Sequence, residues 1–256
     1  MENIVLNETP VRTSKNYGIN NIEIKNFEEP IIKEFVNITI ADAENCITNK
    51  KEDFNLKFGL GEYFTKQIKD ESNVNLKVDI NKNIKEPIII KFDLDDKNNV
   101  LVDNISVNAK DDTKANIIII YTSKENITGY HNGICSAEIG KNSNVHITII
   151  NLLNTQINNF YTVNSKIEEE AKNLFSMVEF GGKNNVVNYY ANLQGYNSKN
   201  KLHSIYLGKE EQRIDLNYIT ELYGKKTNVD IEVNGALTDN ARKNFKGTID
   251  FKTGAK

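Results

Sequence analysis

The 256-residue sequence contains no tryptophan, three prolines and little arginine, and its two cysteines lie far apart. Arginine occurs only as Arg12, Arg213 and Arg242, and 32 basic residues are balanced by 35 acidic ones. Proteins that bind nucleic acid carry clusters of basic residues, so no nucleic-acid partner is expected. Cys46 and Cys135 are too few to build the disulfide framework of a small secreted domain.

Long apolar segments are also absent. The longest run, Asn116–Tyr121, has the length of one strand and is far too short to span a bilayer. The N-terminal residues lack the basic and apolar regions of a signal peptide. We therefore expect a reduced, cytoplasmic protein without a membrane partner. A hydrophobic content of 39% still suffices for a folded core.

Short strands dominate the sequence from about residue 73 onward. Each apolar or alternating run of four to seven residues is bounded by Asn, Gly, Lys or Asp, which is typical of strands between turns. The predicted strands are Val74–Ile80, Pro87–Phe92, Ile105–Val107, Ala115–Tyr121, Val145–Ile150, Leu174–Val178, Leu202–Leu207, Val229–Val233 and Thr248–Phe251.

These strands recur with a period of about 28 residues, a spacing that is typical of solenoids. The period follows from aligning Ile117, Val145, Leu174, Leu202 and Val229. A propeller blade needs about 40 residues, which is too long. A β-sandwich stays open as an alternative, although only two stretches, His131–Gly133 and Asn234–Gly235, offer hairpin turns. A β-helix is favoured, with asparagine in its corners because asparagine tolerates the left-handed region.

Helical periodicity occurs once with clarity. In Leu60–Asp70, the apolar residues Leu60, Phe64 and Ile68 recur at four-residue spacing and predict a short helix. The predicted organisation is a small mixed N-terminal segment, residues 1–72, followed by an all-β core, residues 73–256.

Motifs of common catalytic sites are missing from the sequence, and no enzyme is expected. It has no Gly-x-Ser-x-Gly, no His-Glu-x-x-His and no P-loop. Acidic pairs occur within Asp93–Asp96 and at Asp111–Asp112, where they could bind calcium or act on polysaccharide. Solvated turn charge is the simpler interpretation.

The candidate metal-ligating residues are His131 and Cys135, an imidazole and a thiol four positions apart. Together they could share a soft metal or an iron–sulfur cluster, but two ligands do not close a site. The alternative is a turn histidine beside a small buried cysteine in a strand.

Several segments resemble the SufB/SufD family. The most specific stretch combines Ala-Arg, an aromatic residue, Lys-Gly, a strand and Gly-Ala-Lys near the C-terminus, and the middle of the chain is closer to SufD than to SufB. The segments are Pro10–Asn20, Ile84–Ile90, His131–Ser143 and Gly235–Lys256.

The resemblance implies a right-handed parallel β-helix and a SufD-like scaffold role in iron–sulfur cluster assembly. It implies SufB-like and SufC-like partners, SufC being the ATPase, and at most a transient cluster in the full complex rather than one held stably by this chain. An open coil end would also expose strand edges and invite homodimer formation.

Departures from the family pattern qualify these expectations. Family members continue into a Cys-x-His-Gly-Ala stretch and into helices that dock SufC, whereas this sequence ends at Lys256. No family cluster ligand carries over to a matching position, and we expect a truncated or divergent member. The alternative from another class is an exported β-helix that binds or cleaves carbohydrate.

Overall fold

The computed structural model describes residues 2–10 and 18–255, so most of the family-like stretch Pro10–Asn20 lies outside the described residues. Within these ranges the chain forms one helix, α1 (Glu62–Glu71), and 17 strands. Four strands precede α1: β1 (Glu2–Leu6), β2 (Ile22–Phe27), β3 (Ile38–Ala41) and β4 (Ile47–Thr48). The remaining strands are β5 (Val74–Ile80), β6 (Ile88–Leu94), β7 (Val100–Ala109), β8 (Lys114–Ser123), β9 (Gly129–Ile139), β10 (Asn144–Leu152), β11 (Ile157–Ile167), β12 (Lys172–Glu179), β13 (Asn184–Leu193), β14 (Lys199–Gly208), β15 (Arg213–Leu222), β16 (Asn228–Leu237) and β17 (Arg242–Phe251).

The strands after α1 alternate between two sheets. Sheet I has the order β16-β14-β12-β10-β8-β6-β3, and sheet II has the order β17-β15-β13-β11-β9-β7-β5-β4. From β5 onward each strand pairs in parallel with the strand two further along, so one coil comprises one strand of each sheet. The predicted β-solenoid is confirmed, with about six turns. Its right-handed sense stays a prediction. The predicted boundary at residue 72 stays a prediction too, although β3 and β4, which precede it, already extend the two sheets by antiparallel pairing.

Aliphatic side chains stack in columns between the sheets. One column in sheet I runs through Ile88, Ile117, Ile147, Phe175 and Leu202, each paired with the next and each buried. The alignment predicted from the period was therefore partly wrong, because three of its five residues, Val145, Leu174 and Val229, lie one or two positions before the true partners Ile147, Phe175 and Ile231. Coil length varies: Cys135 follows its partner Ile105 by 30 residues, and Tyr189 follows Val163 by 26. Because the coil length varies, a fixed period of about 28 residues cannot align every strand with its partner.

Residues with a positive φ, in the left-handed region, lie at many of the corners between strands. Asparagine takes this conformation at Asn126, Asn142 and Asn197, as predicted. Glutamate and lysine do so too, at Glu170, Glu210 and Lys226, so the corner does not require asparagine. Backbone hydrogen bonds link one corner to the next, for example from Asn142 N to Glu169 O and from Asn197 N to Lys225 O. The coils are thus stacked at their turns as well as along their strands.

The N-terminal segment (residues 2–10 and 18–72) covers the outer face of sheet II. As predicted, Leu60, Phe64 and Ile68 of the helical stretch are buried together. They pack against outward-facing residues of sheet II: Val102, Tyr130, Ile134, Phe160 and Val186. Sheet II therefore has an apolar layer on both faces. No helix among the described residues is long and apolar enough to cross a membrane.

Candidate functional site

His131 and Cys135 lie in the middle of β9, with both side chains completely buried between the sheets. The predicted turn histidine is therefore wrong, since residues 131–133 are extended strand and form no hairpin turn. The small buried cysteine in a strand is confirmed. Burial raises the pKa of the Cys135 thiol to about 12, so the thiolate that would ligate a soft metal is disfavoured.

His131 is held by polar groups from neighbouring coils. Its Nε2 lies 2.6 Å from Asp103 Oδ1, and its Nδ1 lies 2.5 Å from Asn159 Oδ1. Each ring nitrogen therefore faces a side-chain oxygen that can accept a hydrogen bond. The Tyr121 hydroxyl donates to Asp103 Oδ2 at 3.2 Å and lies 3.3 Å from the Tyr161 hydroxyl.

The hydrogen bonds continue along the solenoid to a second buried carboxyl group. Asn159 Nδ2 donates to Asn185 Oδ1 at 2.6 Å, and Asn185 Nδ2 donates to Glu179 Oε2 at 2.8 Å. Asn151 Nδ2 also donates to Glu179 Oε2, at 3.2 Å. Burial raises the pKa of Glu179 to about 7, although the two amides and nearby His131 oppose the rise. We call this set the inner polar cluster: Asp103, Tyr121, His131, Asn151, Asn159, Tyr161, Glu179 and Asn185.

The register of the two sheets assembles the inner polar cluster. His131, Asn159 and Asn185 are successive partners in sheet II, and Tyr121, Asn151 and Glu179 are successive partners in sheet I. Gly133 provides the space, because a Cβ there would lie 2.6 Å from Asp103 Oδ1 and 2.7 Å from His131 Nε2. The sequence signal for this cluster was the presence of asparagines one and two coil lengths after His131. Considered one at a time, however, asparagines are typical of turns.

Solvent does not reach the inner polar cluster, since each of its side chains is at most 2% exposed. Within the part of the chain that the structure describes, no three His, Cys, Asp or Glu side chains are placed to hold a metal ion. The prediction that this chain holds no stable cluster remains a prediction. Chemically, the arrangement confines charge and hydrogen-bond donors to the solenoid axis and offers no route for a dissolved substrate.

Asp93 lies near the end of β6, and the other acidic residues of the two groups lie in the connections that follow β6 and β7. Asp95 accepts hydrogen bonds from the backbone N–H groups of Lys97 and Asn98, both at 2.8 Å, which hold the pKa of its carboxyl well below the ordinary value. Asp111 Oδ1 accepts one from the backbone of Lys141. Asp95 and Asp111 are therefore interpreted as charged residues that bind the backbone of turns, as expected.

The last coil presents a different kind of candidate site. Four inward-pointing side chains, Leu237 of β16 and Phe245, Ile249 and Phe251 of β17, are 40–69% exposed. One coil earlier, the partners of Phe245 and Phe251 are Leu216 and Leu222, which are at most 1% exposed. We call these four side chains the end face.

Among the described residues, no further strand pairs with the outer edges of the two strands that border the end face. β16 and β17 are the outermost strands of sheets I and II, and each is 10 residues long. Long edge strands with apolar neighbours readily accept a strand from another chain. The end face is built from the C-terminal stretch Gly235–Lys256, whose last residue lies outside the described part of the chain.

Comparison with known proteins assigns a family. A search of curated proteins found no match. A family model described as SUF system FeS cluster assembly, SufBD core domain, matches residues 92–256. The matched region includes β7 to β17 and so contains both the inner polar cluster and the end face. The chain belongs to the SufBD core family, whose role is iron–sulfur cluster assembly in the SUF system.

Proposed function

We propose that this chain is a SufD-like scaffold subunit that joins a SufB-like protein end to end. The proposal is supported by the match to the SufBD core domain and by the end face, where apolar side chains of the last described coil are exposed beside the outer edges of β16 and β17. Burial of apolar surface and addition of strands are both favourable, so a second SufBD core offers the matching surface.

A SufB-like protein is favoured as the occupant because the matching family model covers SufB and SufD together, so a SufB-like protein would have the same kind of coil. Two solenoids of similar width can continue each other's sheets, β16 meeting one edge and β17 the other. Exposed aromatic and aliphatic side chains then pack as they do between coils within this chain. The ATPase SufC would join through this complex, and the nascent iron–sulfur cluster would be its cargo.

The buried polar groups support the non-catalytic part of the proposal. The inner polar cluster is closed to solvent, and the raised pKa of Cys135 keeps its thiol protonated at neutral pH. These groups stiffen the interior of the scaffold instead of meeting a substrate.

The experiment is co-expression of the tagged chain with a SufB homologue, followed by measurement of the dissociation constant. Ile249→Asp places a carboxylate on the end face and is expected to weaken binding at least about 100-fold, as a charge in an apolar interface does. The matched control is Ile205→Asp on the outer face of sheet I, because Ile205 is 44% exposed and Ile249 is 47% exposed.

Equal effects of the two substitutions would contradict docking through the end face. Self-association of the chain with no affinity for a SufB homologue would contradict the choice of partner. Full binding by Ile249→Asp would overturn the proposal altogether.

A further inference from the structure

Two charged clusters join the N-terminal segment to the last coil. In the first, Lys246 of β17 is buried and its Nζ lies 2.5 Å from Asp215 Oδ1 and 3.1 Å from Asn7 O. Asn7 Nδ2 donates to the same Asp215 Oδ1 at 2.6 Å. An amide of the N-terminal segment and an ammonium of the last coil thus share one buried carboxylate.

Asn7 is also anchored at the preceding coils. Its Nδ2 donates to Val187 O at 3.1 Å, its Oδ1 accepts from Asn188 Nδ2 at 3.0 Å, and its backbone N–H donates to Leu60 O at 2.8 Å. Asn7 has a φ of 56°, a conformation that asparagine adopts more readily than most residues. This residue therefore connects β13, β15 and, through Lys246, β17.

The second cluster surrounds Glu221 of β15, whose side chain is 3% exposed. Lys57 of the N-terminal segment approaches it to 2.6 Å and Lys252, the residue after β17, to 2.7 Å. The Tyr190 hydroxyl donates to Glu221 Oε2 at 2.7 Å. Burial alone would raise the pKa of Glu221, but the lysines and tyrosines outweigh it and lower the pKa to about 2.

We infer that the N-terminal segment positions β17, with Asn7 and Lys57 as positioning residues that hold the end face ready for its partner. This inference rests on the proposed function. Among the described residues β17 has a neighbouring strand on one side only, so its backbone hydrogen bonds open more easily than those of the interior strands of sheet II. Two charge-assisted contacts restrain β17: Lys246, in the middle of the strand, binds Asp215, and Lys252, just past its end, binds Glu221.

The same contacts account for the burial of Lys246. Among the described residues Lys246 is the one lysine that is buried, and such a group is tolerated only when it is paired and hydrogen-bonded. Asp215 and Asn7 supply these partners. Without the side chain of Asn7, the pair would lose one hydrogen bond and admit water at β17.

The test measures amide hydrogen–deuterium exchange of β17 in the full chain, with β11 as the internal reference. Asn7→Gly removes the side chain and keeps the positive φ, and Lys57→Met removes a charge that is 46% exposed and lies outside β17. Both variants are expected to speed exchange of β17 about tenfold and to leave β11 unchanged. Lys50→Met is the matched control, because Lys50 is a lysine of the same segment paired with Glu52 at the surface.

The second measurement is the dissociation constant for the SufB homologue, which should rise about tenfold in Asn7→Gly and Lys57→Met and stay unchanged in Lys50→Met.

Unchanged exchange of β17 in both variants overturns the inference. Faster exchange with an unchanged dissociation constant overturns the positioning role. If Asn7→Gly does not fold, Lys57→Met decides by the same two readouts. If the wild-type chain binds no SufBD protein, the proposed function fails, while the exchange data still decide whether the segment restrains β17.

Discussion

Sheets I and II share the same coil but differ in their outer faces. Strands of sheet I such as β10 and β12 alternate between buried and partly exposed residues, because their outer face meets solvent. Strands β13 and β15 of sheet II are buried along almost their whole length, because the N-terminal segment covers them. The same backbone arrangement thus produces an alternating sequence in one sheet and a continuous mixture of apolar and amide residues in the other.

The largest difference between the sheets should appear when a large apolar side chain is truncated to alanine on the outer face of each sheet. Phe160 is fully buried between β11 and the helix, with its ring centroid 4.6 Å from that of Phe64. Phe160→Ala is expected to lower the free energy of unfolding by about 3–5 kcal/mol, since it leaves a cavity. Ile205→Ala on sheet I should change it by about 0.5 kcal/mol. Urea denaturation measures both, and equal losses would show that the N-terminal segment does not bury sheet II.

A second prediction concerns the space between the sheets, where Glu179 of sheet I meets Asn185 of sheet II. The pKa of Glu179 is about 7 in the folded chain and 4.5 as the ordinary value. A raised folded pKa contributes stability that is complete below pH 4.5 and is lost as the pH rises through 7. Glu179→Gln should therefore gain about 3 kcal/mol relative to wild type between pH 4.5 and pH 8.

The measurement is the difference in unfolding free energy between wild type and Glu179→Gln across this pH range. Glu138→Gln, at an exposed position of β9, serves as the control and should show a flat difference. A flat difference for Glu179→Gln as well would mean that the carboxyl group is solvated.

The smallest effect is expected from polar groups on the two outer faces. Asn132 of β9 donates to Phe64 O at 3.1 Å and to Gln67 Oε1 at 2.8 Å, so it ties sheet II to the helix. Asn132→Ala should lower the free energy of unfolding by about 1–3 kcal/mol, because buried acceptors lose their donor. Ser176→Ala on sheet I, where the hydroxyl contacts His146 near solvent, should cost about 0.5 kcal/mol. Thermal unfolding compares the two, and a larger loss for Ser176→Ala would contradict the assignment of the faces.

The different outer faces of sheets I and II also explain which strands could be predicted from the sequence. Every strand of sheet I from β6 to β16 was predicted, because one solvated face preserves the alternation. In sheet II, β9, β11, β13 and β15 are all absent from the predicted strands. Residues such as Asn188 and Asp215 on the covered face look like loop residues without the N-terminal segment above them. The helix was predicted because Leu60, Phe64 and Ile68 form a stripe that depends on local spacing alone.

The candidate site was predicted only in part. His131 and Cys135 were singled out by residue type, but their nearness in sequence carried no information about their partners. Asp103, Asn159 and Glu179 come from other strands and reach His131 through register, which depends on coil lengths that vary from 26 to 30 residues.

By itself, the sequence determined the solenoid class, the approximate coil length, the short helix and the family, because these depend on local periodicity and on contiguous motifs. Only the tertiary structure decided which residues stack, which outer face is covered and where interior side chains meet solvent. The physical reason is that strand pairing and burial act between residues about one coil apart or further. A shift of one residue in register would have placed different side chains at the inner polar cluster and on the end face.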